Sequence, residues 1–229
     1  MSTDPSPAER DPGVAAKLQI LATEHWSLLA TRSLTFTEAL GRVTIFLGIL
    51  SGAVIALALV APVDHFGPAF IWIAIPLLSV VLFTGVATIT RLNALNRDDY
   101  RWVIGMNRLR NAYLELHPEL QPHFITSPYD DLPGALKTLG IDEVAAGRRV
   151  GSVLHVVQTL PGMLTVIVAA VGGAIGALVA LAIAAPPLGA GVAAVVTFVI
   201  VMVSMGRSGR QSVTRLSPSL EPRFPTPAR

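Results

Sequence analysis

The residues best suited to chemistry lie in one proline-rich stretch, HPELQPHFITSPYDDLPG, at residues 117–134. Its histidines, His117 and His123, and its paired carboxylates, Asp130 and Asp131, are groups that a divalent metal ion or acid–base catalysis could use. Their spacing matches no known zinc pattern, and such a scatter in a polar loop is usually solvated. The stretch therefore predicts a structured connecting loop, with no catalytic, cofactor-binding or metal-binding residue assigned.

The sequence carries no other motif for catalysis. It has no cysteine, no glycine-rich phosphate loop, no GxSxG turn and no HExxH pair. Disulfides, thiolate metal sites and cysteine nucleophiles are therefore excluded. We predict a non-enzymatic protein without a cofactor, and a membrane-bound enzyme that uses the histidine and aspartate loop stays as a further alternative.

The composition is that of a membrane protein. Of 229 residues, 52% are hydrophobic and only 14% are charged, and the mean hydropathy is +0.60. In soluble domains roughly a quarter of the residues are charged. We therefore expect an all-α polytopic membrane protein. Its expected partners are the lipid bilayer and either further copies of itself or another protein, and not nucleic acid.

Four uncharged runs are long enough to cross a bilayer core of about 30 Å as helices. They predict spans at about 43–61, 69–90, 161–184 and 188–205. The third span begins at Pro161, because proline is favourable in a first turn and Thr159 can cap it. Thr35-Phe-Thr-Glu38 matches a capping box, which predicts a helix start there and a first transmembrane hairpin over 35–117.

The basic residues predict the orientation. All 17 lie before the first span, between the second and third spans, or after the fourth span. The short loops at 62–68 and 186–187 contain none. Because short loops rich in arginine and lysine stay on the cytoplasmic side, we expect both termini in the cytoplasm. Only two of the 17 basic residues are lysine, and alanine, glycine, valine and proline are abundant, which suggests a high-GC bacterial genome. We therefore expect the spans in a bacterial inner membrane.

The second span continues without a breaker into a periodic helix at 91–117. Residues spaced alternately three and four positions apart fall on one face of this helix, which we call the seam. The seam consists of Leu92, Leu95, Asp99, Trp102, Met106, Leu109, Tyr113 and Leu116. Asp99 is the charged residue of the seam. We expect it either to pair with an arginine or to lie where the seam is not packed. The sequence leaves three partners open: the amphipathic helix at 14–32, a second copy in a coiled coil, or another protein.

The other segments are assigned by composition. Residues 1–13 predict a retained, disordered N-terminus, and 118–140 a proline-rich cytoplasmic loop. Residues 141–205 predict an interfacial helix followed by the second transmembrane hairpin. Residues 206–229 predict a disordered basic tail, whose hydroxyl residues beside arginine could be phosphorylated.

Small residues predict where helices approach closely. Gly48 and Gly52 form a GxxxG pair in the first span, and Gly172 and Gly176 form another in the third. In lipid, small residues let helix backbones pack at short distance. We expect these glycines to make contacts within one protomer first, with contacts between protomers as the alternative.

The segment NRDDYRWVIGMNRLRNAYLELHPELQPHFITSPYDD, between two pairs of spans, resembles a group of uncharacterised integral membrane proteins from high-GC bacteria. That resemblance implies no activity. In topology alone the chain is similar to small two-span and four-span proteins proposed as pore-forming effectors, which implies an oligomeric pore lined by serine, threonine and glycine as the alternative function. Our leading hypothesis is a non-enzymatic four-span protein whose cytoplasmic helices mediate self-association or partner docking.

Overall fold

The structure is a computed structural model that describes residues 12–140, 159–214 and 221–227. Within these ranges all the regular secondary structure is helical, and no strand is present. The elements in chain order are α1 (Pro12–Asp64), α2 (Pro68–Leu116), a 3-10 helix (Pro118–His123), α3 (Leu132–Thr138), α4 (Leu160–Ala182) and α5 (Pro187–Thr214). The predicted interfacial helix before the third span, and most of the predicted N-terminal segment, lie outside the described residues.

Four helices, α1, α2, α4 and α5, are long and apolar enough to cross a membrane. This confirms the all-α, multi-pass class that the four uncharged runs predict. The start of α4 also follows its sequence signal, because the Thr159 hydroxyl accepts a hydrogen bond from the Gly162 amide at 3.2 Å and Pro161 lies in the first turn.

The predicted helix start at Thr35 is wrong. Helix α1 is continuous from Pro12 to Asp64, so the predicted amphipathic helix at 14–32 and the first span are one helix. No proline interrupts the chain before the last turn of α1, and the Thr35 hydroxyl donates to the Thr31 carbonyl at 2.9 Å inside the helix. A capping hydroxyl instead needs a non-helical backbone and free amides ahead of it.

The prediction of a disordered tail from residue 206 is wrong in two places. Helix α5 continues to Thr214, since no proline stops it at the end of the apolar run. Residues 221–227 are non-helical and are held by hydrogen bonds to Asp130 and Asp131. We call residues 221–227 the tail segment.

The described residues form two compact units, and α1 and α2 contribute to both. One comprises the described residues within Met1–Phe36, Asp98–Arg149 and Pro218–Arg229, and we call it the polar unit. The other comprises those within Thr37–Arg97 and Val150–Ser217, and we call it the apolar unit.

The apolar unit has a core built from α1, α2 and α4. Its buried residues include Phe46, Val81, Ile89, Leu164 and Val168. At one end of this core the Glu38 carboxylate of α1 accepts two hydrogen bonds from Arg91 of α2, at 2.9 and 3.0 Å. The apolar pattern and this ion pair together fix how α1 faces α2 within the unit.

The polar unit has a smaller core between α1, α2 and α3. Val103, Ile104, Met106 and Ala135 are buried there, and Leu28, Tyr100 and Leu139 pack against them. Helix α3 is only two turns long, so its position depends on this packing and on the polar contacts described below.

Candidate functional site

The seam of α2 is divided between the two units. Leu92 and Leu95 are buried in the core of the apolar unit. The other six residues lie in the polar unit: Asp99, Trp102, Met106, Leu109, Tyr113 and Leu116. Met106 is buried and the remaining five are half-buried. Three of the eight seam residues are therefore buried within one chain, and the other five stay partly exposed.

Helix α1 supplies the contacts that cover the seam in the polar unit. Arg32 donates two hydrogen bonds to the Asp99 carboxylate, at 2.6 and 3.3 Å. Leu28 packs against the core of the unit, and the rings of His25 and Tyr113 lie 6.0 Å apart and nearly parallel. These contacts come from the segment at 14–32, which is one of the three partners that the sequence left open. Asp99 is the polar seam residue that pairs with an arginine.

The two glycine pairs have different surroundings. A Cβ atom built on Gly176 would collide with the Thr197 hydroxyl and would lie 2.8 Å from the Ala193 carbonyl oxygen, so α4 meets α5 there at backbone distance. Gly172 likewise lies against α5. Around Gly48 and Gly52 no described atom lies within 4 Å of such a Cβ atom. The expected contact within one protomer is therefore absent at the α1 pair among the residues that the structure describes.

The polar unit contains a buried hydrogen-bond network that the sequence pattern did not indicate. Its centre is Asn107 of α2, which is fully buried. The Asn107 side chain donates to the Tyr129 carbonyl at 2.7 Å and accepts from Arg110 at 2.7 Å and from the Thr138 hydroxyl at 2.9 Å. One amide thus joins α2, α3 and the loop between them. Because buried polar groups are costly unless paired, this network sets the path of the loop.

The loop is also held at the start of α3. Asp131 caps that helix, because its carboxylate accepts a hydrogen bond from the Gly134 amide at 2.9 Å. A Cβ atom on Gly134 would collide with the Tyr129 carbonyl, so only glycine fits at this position. The Ser127 hydroxyl accepts from the Tyr129 amide at 3.1 Å. These contacts place Asp130 and Asp131 side by side at the end of the loop.

Asp130 binds the main chain of the tail segment. Its carboxylate accepts hydrogen bonds from the amides of Arg223 and Phe224, at 2.9 and 2.8 Å. Its own amide donates to the Phe224 carbonyl at 3.1 Å. Arg108 of α2 donates to the same carboxylate at 2.7 Å and to the Glu221 carbonyl at 3.0 Å. The Asp130 side chain is fully buried by these contacts.

Asp131 binds the next part of the tail segment. Its carboxylate accepts from the Thr226 amide at 2.7 Å and from the Thr226 hydroxyl at 2.8 Å. We call Arg108, Asp130 and Asp131 together the tail-binding site. Sequence reasoning singled out the two aspartates as possible acid and base, but it found neither the tail segment that they bind nor Arg108.

The site recognises an extended main chain with amides at set positions. The three tail amides that donate to it belong to Arg223, Phe224 and Thr226. The prolines at 222, 225 and 227, which have no amide hydrogen, occupy the positions between or beside them. Carboxylates that accept several main-chain amides bind by charge-assisted hydrogen bonds, which are about twice as strong as neutral ones. The arrangement holds an extended segment of this chain mainly through its main-chain groups.

The two histidines of the loop do not join this site. The Nδ1 atom of His117 lies 2.9 Å from a carboxylate oxygen of Glu119, and the side chain of His123 is exposed. Across residues 12–140, 159–214 and 221–227, no group of three or more histidine and carboxylate side chains is arranged to hold a metal ion. The aspartates instead serve the tail segment and the cap of α3.

The hydrogen bonds to the tail keep both carboxylates ionised. Burial alone would raise the pKa of Asp130, but the amides of Arg223 and Phe224 and the Arg108 side chain outweigh it, so the pKa lies below its ordinary value. For Asp131, burial is likewise outweighed by the amides of Thr226 and Gly134, and its pKa is also lowered.

Docking of the tail segment should therefore resist mild acid. A carboxyl group whose pKa falls on docking stabilises the docked state fully above its ordinary pKa of about 3.9, and this stabilisation is lost as the pH falls through the lowered value. We expect the tail to stay docked from neutral pH to about pH 4 and to be released below that. A spin label on Glu221→Cys, unique in a chain without cysteine, would report release as fast label motion. Release already near pH 6 would contradict this expectation.

No protein-family model, curated protein or solved structure matches the chain. The resemblance to membrane proteins of high-GC bacteria therefore stays a prediction. The geometry by itself defines a class: an all-helical, multi-pass membrane protein with a site that holds an extended peptide segment.

Proposed function

We propose that the protein is a non-enzymatic docking protein of the bacterial inner membrane, with both termini and the polar unit in the cytoplasm. The proposed orientation is supported by the distribution of arginine and lysine, none of which lies in the two short loops between paired spans. The bilayer holds the apolar unit, and the polar unit binds a peptide.

The observation that supports docking is the main-chain recognition of the tail segment by Asp130 and Asp131. Three amides and one hydroxyl of the tail donate to these carboxylates, and Arg108 binds a tail carbonyl. A site that binds mainly main-chain groups accepts any extended segment with amides at matching positions. The natural partner would be such a segment, from another protein, that competes with the chain's own tail.

The same contacts argue against acid–base catalysis by these aspartates. Both carboxylates are engaged by amides or by an arginine and have lowered pKa values. A general acid needs a raised pKa to hold its proton near neutral pH, and a base needs a free lone pair beside a substrate. The aspartates fit a binding role better than a catalytic one.

A chain that ends at Ser217, with the membrane helices intact, should bind the free peptide SLEPRFPTPAR, which has the sequence of residues 219–229. We expect a dissociation constant at or below about 1 mM, because docking in the intact chain must be favourable at the millimolar effective concentration that a short linker gives. Fluorescence anisotropy of the labelled peptide in detergent or nanodiscs would measure it.

Matched variants make this titration specific. Asp130→Asn in the same truncated chain should abolish binding, whereas Asp98→Asn, which alters only an exposed pair with Arg101, should leave it unchanged. Binding that is equal in both variants, or no binding at all, would count against the docking function.

Self-association is a second candidate, favoured by the uncovered α1 face that carries Gly48 and Gly52. The corresponding pair on α4 is covered by α5, so this face is the one that remains for a second copy of the chain. A mass of one chain in a mild detergent would exclude this candidate.

The pore alternative gains no support from the hydroxyl side chains. Thr44, Ser79 and Thr197 each donate to a carbonyl oxygen four residues earlier in their own helix. Hydroxyl groups that are satisfied in this way need no polar path between helices.

A further inference from the structure

We infer that Thr226 is a phosphorylation site and that its phosphorylation releases the tail segment from the tail-binding site. The inference rests on the proposed docking function, because it names how occupancy of that same site would be regulated. A released tail would leave Asp130 and Asp131 open to a peptide of another protein.

The position of the Thr226 hydroxyl is the first support. It donates to one carboxylate oxygen of Asp131 at 2.8 Å while the Thr226 amide donates to the other at 2.7 Å. A phosphate on that hydroxyl removes the donor hydrogen and places a charge of about −2 beside the ionised Asp131. Repulsion then replaces attraction at the centre of the contact.

Arg108, the basic residue of the tail-binding site, is not free to compensate for this repulsion. Arg108 already donates to Asp130 and to the Glu221 carbonyl, so it could bind a phosphate only by losing these two hydrogen bonds. Arg223 reaches the site through its main-chain amide, and its side chain is exposed. A phosphate would therefore meet no uncommitted cation among the three residues of the tail-binding site.

Thr226 is also accessible to a modifying enzyme. It is exposed, and it is the one hydroxyl residue in the sequence EPRFPTP of the tail segment. The segment is non-helical, as a kinase substrate must be when it lies in the active-site cleft. In the docked state the Thr226 hydroxyl is hydrogen-bonded to Asp131. Phosphorylation therefore occurs while the tail segment is transiently released, and the phosphate then prevents the segment from docking again.

The reaction needs a nucleoside triphosphate and a separate protein kinase. The Thr226 oxygen attacks the γ-phosphorus, and the new O–P bond forms as the bond from that phosphorus to the β-phosphate oxygen breaks. The nucleoside diphosphate leaves, and the hydroxyl proton passes to a carboxylate base of the kinase. A phosphatase returns the tail to its docking form by hydrolysis.

The test uses the full chain with a spin label on Glu221→Cys and phosphothreonine incorporated at position 226. The fraction of immobilised label gives the docking equilibrium constant. We expect phosphorylation to lower this constant by about a hundredfold, because hydrogen bonding is lost and like charges are brought together. Thr226→Val keeps the shape and loses the hydroxyl alone, so it should lower the constant only a fewfold.

A second substitution separates charge from shape. Asp131→Asn keeps an oxygen for the cap of α3 and removes the negative charge that faces the phosphate. In the phosphorylated chain it should recover about tenfold in the docking constant. Loss of docking by Thr226→Val as complete as that by phosphorylation, or no recovery with Asp131→Asn, would overturn the inference.

The outcomes also separate the inference from the function on which it rests. A label that is immobile before and after phosphorylation overturns the inference and leaves the docking function standing. A label that is already mobile in the unmodified chain would show that the tail segment is not docked. The docking function itself would then lose its support.

Discussion

Replacing Asp130 with alanine should release the tail segment and lower the free energy of opening of the polar unit by about 2–3 kcal/mol. The Asp130 side chain is fully buried and accepts hydrogen bonds from Arg108 and from the amides of Arg223 and Phe224. Its removal leaves the half-buried Arg108 without its carboxylate. Hydrogen exchange of residues 124–139, followed by mass spectrometry, would measure the change.

Asp98→Ala is the matched control for this experiment. Asp98 lies on α2 and pairs with Arg101 at 3.5 Å, and the side chains of Asp98 and Arg101 are 36% and 52% exposed. Exposed pairs of this kind contribute between zero and about 1 kcal/mol. Equal effects of the two alanine substitutions would mean that Asp130 does not hold the loop and tail as the hydrogen bonds indicate.

Replacing Gly176 with leucine should destabilise the α4–α5 hairpin by about 3 kcal/mol. The space that a side chain needs is filled by the Thr197 hydroxyl and by the Ala193 carbonyl oxygen, which would lie 2.8 Å from the new Cβ atom. The Thr197 hydroxyl is itself hydrogen-bonded to that carbonyl at 2.7 Å, so it cannot move without losing a bond. The helices must therefore separate, and thermal unfolding in detergent should report the loss.

Gly191→Leu is the control in the same hairpin. Gly191 lies on α5, and no described atom lies within 4 Å of a Cβ atom built there. The added side chain should enter lipid at little cost. If both leucine variants unfold at the temperature of the wild type, close packing at Gly176 does not stabilise the hairpin.

The parts of the fold that follow local rules could be predicted from the sequence. The uncharged runs predict the four helices that are long and apolar enough to cross a membrane. They do so because a polar group without a partner is costly in lipid. Thr159 caps α4 as its spacing from the apolar run indicates. The sequence indicated that Asp99 could pair with an arginine, but it did not indicate Arg32, because 67 positions separate the two residues.

The tail-binding site could not be predicted from the same patterns. The two aspartates are separated from the tail amides that they bind by 93 to 95 positions, and these three bonds run from main-chain amides to carboxylates. Main-chain amides are present at nearly every residue, so the tail carries no side-chain pattern that identifies it. The glycine pairs show a related difficulty, because Gly48 and Gly176 belong to the same motif and only the position of α5 distinguishes them.

The titration of the chain that ends at Ser217 with the peptide SLEPRFPTPAR decides whether the protein is a docking protein. We expect saturable binding with one peptide per chain, loss of that binding with Asp130→Asn, and much weaker binding to the full-length chain, whose own tail occupies the site. A peptide that binds the truncated and full-length chains equally, or binds neither, would contradict the proposal that Asp130 and Asp131 form a peptide-binding site.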